Sequence, residues 1–433
     1  MHCVSARGKV CLRAEDPREI GRCVPGLAPD ETATLGEVER LMQGGSVESA
    51  VDILANVVEQ GASVQAICLL ASLYLELGQN DKAHRYASMA AQKDPSSGPA
   101  RDVMAKANVA LGDFVAALTD FEAVAGLIRE QRQTPPEEFS IPAHFALHNI
   151  EQLDHILAQH RDERASARLL DEELIGVRRG LTDLIEQAGG AAPWASFYGT
   201  HSRVIADPPY TKVSEEKLPR YLNASVDYGR IKDAIAGGRL QAEVIDDFLT
   251  PQALDQVQKF CLESTVWRHP YQFGYVGAFP QDGFASVSLF AIAEELSAAL
   301  GEVFDDYQLA QWWAFVYDAK LPGTDIHGDD ADFSLNLWIT PDSANLDPDR
   351  GGLVVWDKTA PSDWSYGDYN SGGERVKQFL RDENAESQII PYRANRAVLF
   401  KGHLFHRTDD FTFAPGFANR RRSVTFLFRR RKG

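Results

Sequence analysis

The chain has 433 residues, and 44 Lys and Arg against 62 Asp and Glu leave a formal net charge of −18. One ordinary core does not grow to that length, so two or three domains are expected, and the acidic balance argues against general affinity for nucleic acid or an anionic membrane. Five cysteines (Cys3, Cys11, Cys23, Cys68, Cys261) with no CxxC pair point to neither a disulfide framework nor a zinc knuckle, and fit a reducing cytoplasm.

Residues 1–33 carry Arg7, Lys9, Arg13 and Arg18 with no apolar run behind them, so no signal peptide is expected and the segment reads as disordered. No stretch of eighteen apolar residues occurs, hence no membrane span is expected. Residues 34–130 are rich in Ala, Leu, Glu and Gln and read as helical. Inside them Gly45, Gly78 and Gly112 recur at steps of 33 and 34, and Ala50, Ala83 and Ala117 repeat the same steps. The clearest copy runs from Val64 to Pro95, with Ala71, Tyr74, Gly78, Ala83 and Ala90 at fixed offsets. It resembles the tetratricopeptide repeat, in which small residues sit where paired helices touch. That resemblance implies an extended concave surface suited to a protein or peptide partner.

Residues 131–190 open on "QTPPEEFSIP" and continue as two amphipathic patterns, expected to be a helical extension closing the repeat array. His144, His148, His155 and His160 fall here without an acid at a fixed spacing, which favours packing or solvation over metal binding. Residues 191–240, rich in Gly, Pro and aromatics, read as a linker. In 241–433 the helices "TPQALDQVQKFCLES" and "VSLFAIAEELSAAL" precede short strands, "WWAFVYD", "FSLNLWIT", "GGLVVWD", "RAVLF" and "RRSVTFLF". The whole is expected to be α+β and multidomain: a helical-repeat array, then an antiparallel barrel or sandwich with flanking helices.

His327 and Asp329 are two apart before a strand, so they project to one side and can hold one ion between them. A second imidazole comes from "RAVLFKGHLFHRTDD", which offers His403 and His406. Two histidines and one carboxylate are the facial set of non-haem Fe(II) oxygenases, which leaves positions for a bidentate co-substrate and dioxygen. A 2-oxo acid needs a cation for its far carboxylate. Strand alternation puts Arg421, Ser423 and Thr425 on one face of "RRRSVTFLF", with Arg422, Val424, Phe426 and Phe428 on the other.

Over residues 240–430 the chain resembles the 2-oxoglutarate and Fe(II)-dependent dioxygenases, most closely their prolyl-hydroxylase-like branch. Tyr317, the HxD of His327 and Asp329, "GGLVVWD", "VLFKGHLFH" and the RxS of Arg421 and Ser423 carry the resemblance. It implies a double-stranded β-helix (jelly-roll) holding Fe(II), with 2-oxoglutarate as co-substrate tethered by Arg421, Ser423 and Tyr317. It favours His406, six residues after Phe400, as the second histidine, and the retained Asp329 implies hydroxylation rather than halogenation. The long segment 357–395 suggests a lid or substrate-recognition insert, with Trp364, Tyr366 and Tyr369 as contact residues. The expected target is a carbon of a protein or peptide side chain. A small-molecule substrate is the alternative within the same chemistry; a repeat-based scaffold with a catalytically dead β-helix is the alternative outside it.

Overall fold

Two of the periodic glycines of the N-terminal region are helix stops. Gly78 and Gly112 sit at φ +71° and +80°, the left-handed conformation that glycine adopts without penalty. The residues after them close the helix end, with Gln79 N–H donating to Tyr74 O at 2.8 Å and Asp113 N–H to Asn108 O at 2.9 Å. Ser63 and Ser97 open the neighbouring helices by accepting from Ala66 and Ala100 N–H. The result, in a computed structural model, is six helices in sequence: α1 (Pro29–Gln43), α2 (Val47–Glu59), α3 (Val64–Glu76), α4 (Asn80–Lys93), α5 (Gly98–Leu111) and α6 (Phe114–Glu130). Helices α2, α4 and α6 begin at residues 47, 80 and 114, and α3 and α5 at 64 and 98, so the elements follow the 33- and 34-residue steps of the sequence. Ala50, Ala83 and Ala117 are fully buried, which lets helix axes approach closely, and Tyr74 stacks on Tyr86 at 5.4 Å.

The structure describes residues 29–43, 46–130, 138–160, 172–189, 192–198, 205–238, 241–318, 323–370 and 373–431, in two compact units, Met1–Arg132 with Arg431–Gly433 and Gln133–Arg430. The expected disorder of 1–33 lies outside the described residues as far as residue 28; α1 begins at Pro29.

The second unit runs β1 (Glu138–Pro142), α7 (Ala143–His160), α8 (Glu172–Gln187), β2 (Trp194–Tyr198), α9 (Tyr228–Ala236), β3 (Ala242–Ile245), α10 (Pro251–Glu263), β4 (His269–Tyr271), β5 (Tyr275–Ala278), α11 (Val287–Leu300), β6 (Tyr307–Tyr317), β7 (Phe333–Trp338), β8 (Leu353–Thr359), α12 (Tyr366–Asn370), α13 (Gly373–Asp382), β9 (Ser387–Ile390), β10 (Ala397–Lys401), β11 (Leu404–Thr408) and β12 (Arg422–Arg430). A seven-stranded antiparallel sheet has the order β3-β10-β7-β12-β6-β5-β4, and a second sheet the order β11-β8-β9. Trp338, Val398 and Phe400 of the first sheet pack with Leu353, Val355, Ile390 and Leu404 of the second, so the two face each other across one core as in a jelly roll.

Two sequence expectations differ from this arrangement. Helix α7 belongs to the sheet-bearing unit: Gln152 Nε2 donates to Leu262 O and Ser264 O (3.2 and 2.9 Å), and the His148 ring meets Trp267 and Phe417 edge-on. Residues 205–227, within the expected linker, are pinned to the same unit. Thr211 N–H donates to Thr265 Oγ1 (2.8 Å), and Tyr221 and Leu222 N–H donate to the Glu295 carboxylate. Proline-rich composition makes these residues irregular, and side-chain acceptors then satisfy their backbone. The excursion 357–395 is also partly sheet, since β9 pairs with β8, while α13 covers a small core of Ile326, Val376, Leu380 and Phe405.

Candidate metal centre

His327 adds itself to the free edge of β11. Its N–H donates to His406 O (3.0 Å) and His406 N–H donates to His327 O (2.8 Å), which sets the two imidazoles side by side with ring centroids 4.3 Å apart. Each ring places Nδ1 against the carbonyl two residues before it: His327 at 2.8 Å from Asp325 O, His406 at 2.9 Å from Leu404 O. Those carbonyls hold the proton on Nδ1 and leave both Nε2 lone pairs free, the orientation a metal-binding histidine needs. Burial, with the neighbouring His327, pulls the His406 pKa down to about 4, so the ring is neutral near pH 7.

Asp329 N–H donates to Gly402 O (2.9 Å), and its Oδ2 accepts from Ser334 Oγ at 2.6 Å. Its carboxylate oxygens lie 3.8 Å from His327 Nε2 and 3.5 Å from His406 Nε2. All three ligand atoms fall within 4.8 Å of one another, the one such group of His, Cys, Asp and Glu among the described residues. Gly328 allows this closeness, because a Cβ there would sit 3.3 Å from His403 O. His403 itself is exposed in the turn between β10 and β11, so of the two histidines offered by the sequence it is His406 that joins the group.

Arg421 is 1 % exposed. Its Nε donates to Gly351 O (2.7 Å) and Nη2 to Gly352 O (3.1 Å), while the guanidinium lies over the Tyr317 ring at 4.6 Å, with Trp338 and Tyr392 at 5.9 and 6.0 Å. Nη1 is buried without a partner, and no carboxylate among the described residues pairs with this cation. A buried guanidinium with one donor left over and no counter-ion fits an anionic ligand. The double glycine is explained by the same contacts: Gly351 has φ +87°, and a Cβ on Gly352 would collide with the Ile390 carbonyl and the Trp338 ring.

Thr408, two beyond His406 on β11, donates from Oγ1 to Tyr317 Oη (3.4 Å), so contacts run from Thr408 through Tyr317 to Arg421. Ser423 is buried two residues beyond Arg421, and Thr425 accepts from Asn336 Nδ2 at 3.1 Å, leaving Asn336 Oδ1 buried and unpaired. Arg422, on the opposite face, is buried too. It donates to the carbonyls of Phe417, Ala418 and Arg420, and burial pulls its pKa down to about 9.

The three aromatics of the 357–395 segment separate. Trp364 packs on Phe379 and Phe405 beneath Arg375 (4.2 Å), inside the small cover core. Tyr369 lies beside the metal group, its carbonyl accepting from Gly328 N–H (3.3 Å), and Tyr366 meets it edge-on at 5.4 Å. Sequence reasoning missed Ser334, Thr408 and Asn336. Alternation along β7 and β11 puts them on the faces of Asp329's partner and of His406, which was the available signal.

No protein-family model matches the chain, and no curated protein matches it. Among solved structures it is similar to the non-heme alpha ketoglutarate dependent epimerase SnoN from nogalamycin biosynthesis, with 13% identity over 47% of this chain and 84% of that one and a TM-score of 0.35. It is also similar to a Pseudomonas putida prolyl-4-hydroxylase, with 17% identity over 50% and 97% of the two chains and a TM-score of 0.30. A 2OG-Fe(II) oxygenase family oxidoreductase from Burkholderia pseudomallei gives 11% identity over 49% and 95%, with a TM-score of 0.30. Likenesses of this size place the chain in no family.

Proposed function

We propose that the second unit is an Fe(II)- and 2-oxoglutarate-dependent oxygenase that hydroxylates a carbon of a protein or peptide side chain. The observation that carries the reading is one pairing: two imidazole Nε2 atoms and a carboxylate converge, and a buried arginine, over the Tyr317 ring that Thr408 reaches two residues from His406, still has a donor to give. His327, Asp329 and His406 would hold the metal, and Arg421, seconded by Ser423 and Tyr317, would hold the far carboxylate of the co-substrate. Bound Fe(II) and 2-oxoglutarate would supply activation of molecular oxygen for oxidation of a C–H bond. The chain's own part is positional. Ser334 fixes the Asp329 carboxylate, the Asp325 and Leu404 carbonyls fix both rings, and the Tyr317, Trp338 and Tyr392 rings keep water from Arg421. Tyr369 and Tyr366 would contact the substrate, and Trp364, packed on Phe379 and Phe405, would brace the segment that carries them.

A polypeptide substrate is supported by the helices at 33- and 34-residue steps, which we read as tetratricopeptide-like repeats that recruit the target. The test of the chemistry is anaerobic addition of Fe(II) and then 2-oxoglutarate to folded protein. A weak visible absorption band that needs both, and succinate formation on admitting oxygen, are expected. Iron-loaded protein with neither would return the domain to the scaffold reading.

A further inference from the structure

Helix α7 lies outside the two facing sheets, yet it presses on the turn that delivers Arg421. The His148 and His155 rings pack on Phe417 at 5.4 and 5.6 Å, in the short turn Phe417–Asn419. Between the two on α7, three residues after His148, Glu151 Oε2 accepts from Arg420 Nη2 at 2.6 Å, with both side chains about nine-tenths buried. The same Arg420 nitrogen lies 3.9 Å from Asp318 Oδ2. On the far side, Arg178 of α8 reaches Glu151 at 3.5 Å and Asp154 at 3.0 Å. A row of alternating charges therefore runs Arg178, Glu151, Arg420, Asp318. Its inner members are chain neighbours of the residues around the unpaired donor: Arg420 precedes Arg421, Asp318 follows Tyr317, and Tyr317 N–H donates to Arg421 O at 3.0 Å.

We infer that Glu151 of α7 is a positioning residue for the 2-oxoglutarate pocket, setting Arg421 through Arg420 and Tyr317 through Asp318. The inference rests on the oxygenase reading and adds to it an element that the two sheets do not contain. The physical reason is that Arg420 and Asp318 are buried charges whose places are fixed by their partners. Removing the Glu151 charge leaves Arg420 short of a counter-ion, and it moves toward Asp318, taking the backbone on either side of the pocket with it.

The test is Glu151→Gln in the full chain, with the affinity for 2-oxoglutarate measured by anaerobic calorimetry in the presence of Mn(II), and Mn(II) affinity measured separately. Weakening of 2-oxoglutarate by roughly tenfold, the scale seen when residues supporting a site are lost, is expected with Mn(II) binding unchanged. Glu151→Asp should recover part of the loss. Equal 2-oxoglutarate affinity in Glu151→Gln overturns the inference while leaving the oxygenase reading intact, as does parallel weakening of metal and co-substrate. Wild-type protein that binds Mn(II) but no 2-oxoglutarate removes both readings. Should Glu151→Gln fail to fold, Asp318→Asn probes the other arm of the row by the same two measurements, and an unchanged co-substrate affinity there overturns the inference equally.

Discussion

Arg420, Arg421 and Arg422 are consecutive, identical in chemistry and assigned to three different tasks by their surroundings. Arg420 is paired with Glu151, Arg422 is spent on three carbonyls through both terminal nitrogens with its Nε left unpaired, and Arg421 keeps a terminal nitrogen, Nη1, without a partner. Arg421→Ala should therefore raise the 2-oxoglutarate dissociation constant tenfold to more than a hundredfold, since a bond to a charged group is worth about 1.5–3 kcal/mol. Arg422→Ala should leave that constant nearly unchanged but lower the thermal midpoint, because it orphans a cluster of buried carbonyls. Calorimetry and thermal unfolding on the two variants separate these outcomes, and similar behaviour would show the strand faces to be wrongly assigned. The metal group yields a parallel expectation: His327→Ala, Asp329→Ala and His406→Ala each abolish Fe(II)-dependent succinate formation, whereas His403→Ala retains it. This group was legible in the sequence, because HxD and RxS are local spacings of two whose geometry follows from a strand. Ser334, five residues from Asp329, and Glu151, 269 residues from Arg420, were not, since nothing local announces a partner met through the fold.

At the scale of elements, α7 shows the limit of pattern reading. Its amphipathic stripe was legible as a helix, but an apolar face does not name what it will pack against, and it packs into the sheet-bearing unit. There it buries His144 and His148. Burial pulls the His144 pKa down to about 4, with Arg420 assisting and Asp318 opposing, and pulls His148 well below its ordinary value. In the unfolded chain both return to about 6.5. The folded state thus binds fewer protons, so the contribution to stability is complete above about pH 6.5 and is lost as pH falls toward 4, at up to about 1.4 kcal/mol per pH unit for each ring. His406 adds the same sign in metal-free protein. Urea unfolding of metal-free protein should accordingly show a clearly lower midpoint at pH 5.5 than at pH 7.5, and His144→Gln should flatten the difference. A midpoint independent of pH over this interval would contradict neutral burial of these rings.

For the whole molecule, the repeat period was legible because a buried alanine recurs at each step and a left-handed glycine at Gly78 and Gly112, whereas the change of composition near residue 191 was misleading. The compact units divide at 132/133, beside the Pro-Pro of "QTPPEEFSIP", which the sequence had also marked. The two positions predict different fates for truncated chains. Deleting residues 1–190 removes β1 and α7, so β2 loses its only strand partner among the described residues, Trp267 and Phe417 lose the His148 ring, and Arg420 loses Glu151. That fragment should aggregate or bind 2-oxoglutarate poorly. Deleting residues 1–132 keeps every one of these contacts, so the remaining chain should fold, bind 2-oxoglutarate with the affinity of the full protein and convert it slowly to succinate without substrate. If the repeats recruit the target, this longer fragment should lose turnover of a polypeptide substrate through a raised KM while kcat at saturation is preserved. Solubility, co-substrate affinity and steady-state kinetics on the two fragments decide each point. An undiminished kcat/KM for the polypeptide in the 133–433 fragment would mean that the repeats serve some other purpose and that substrate choice lies within the second unit alone.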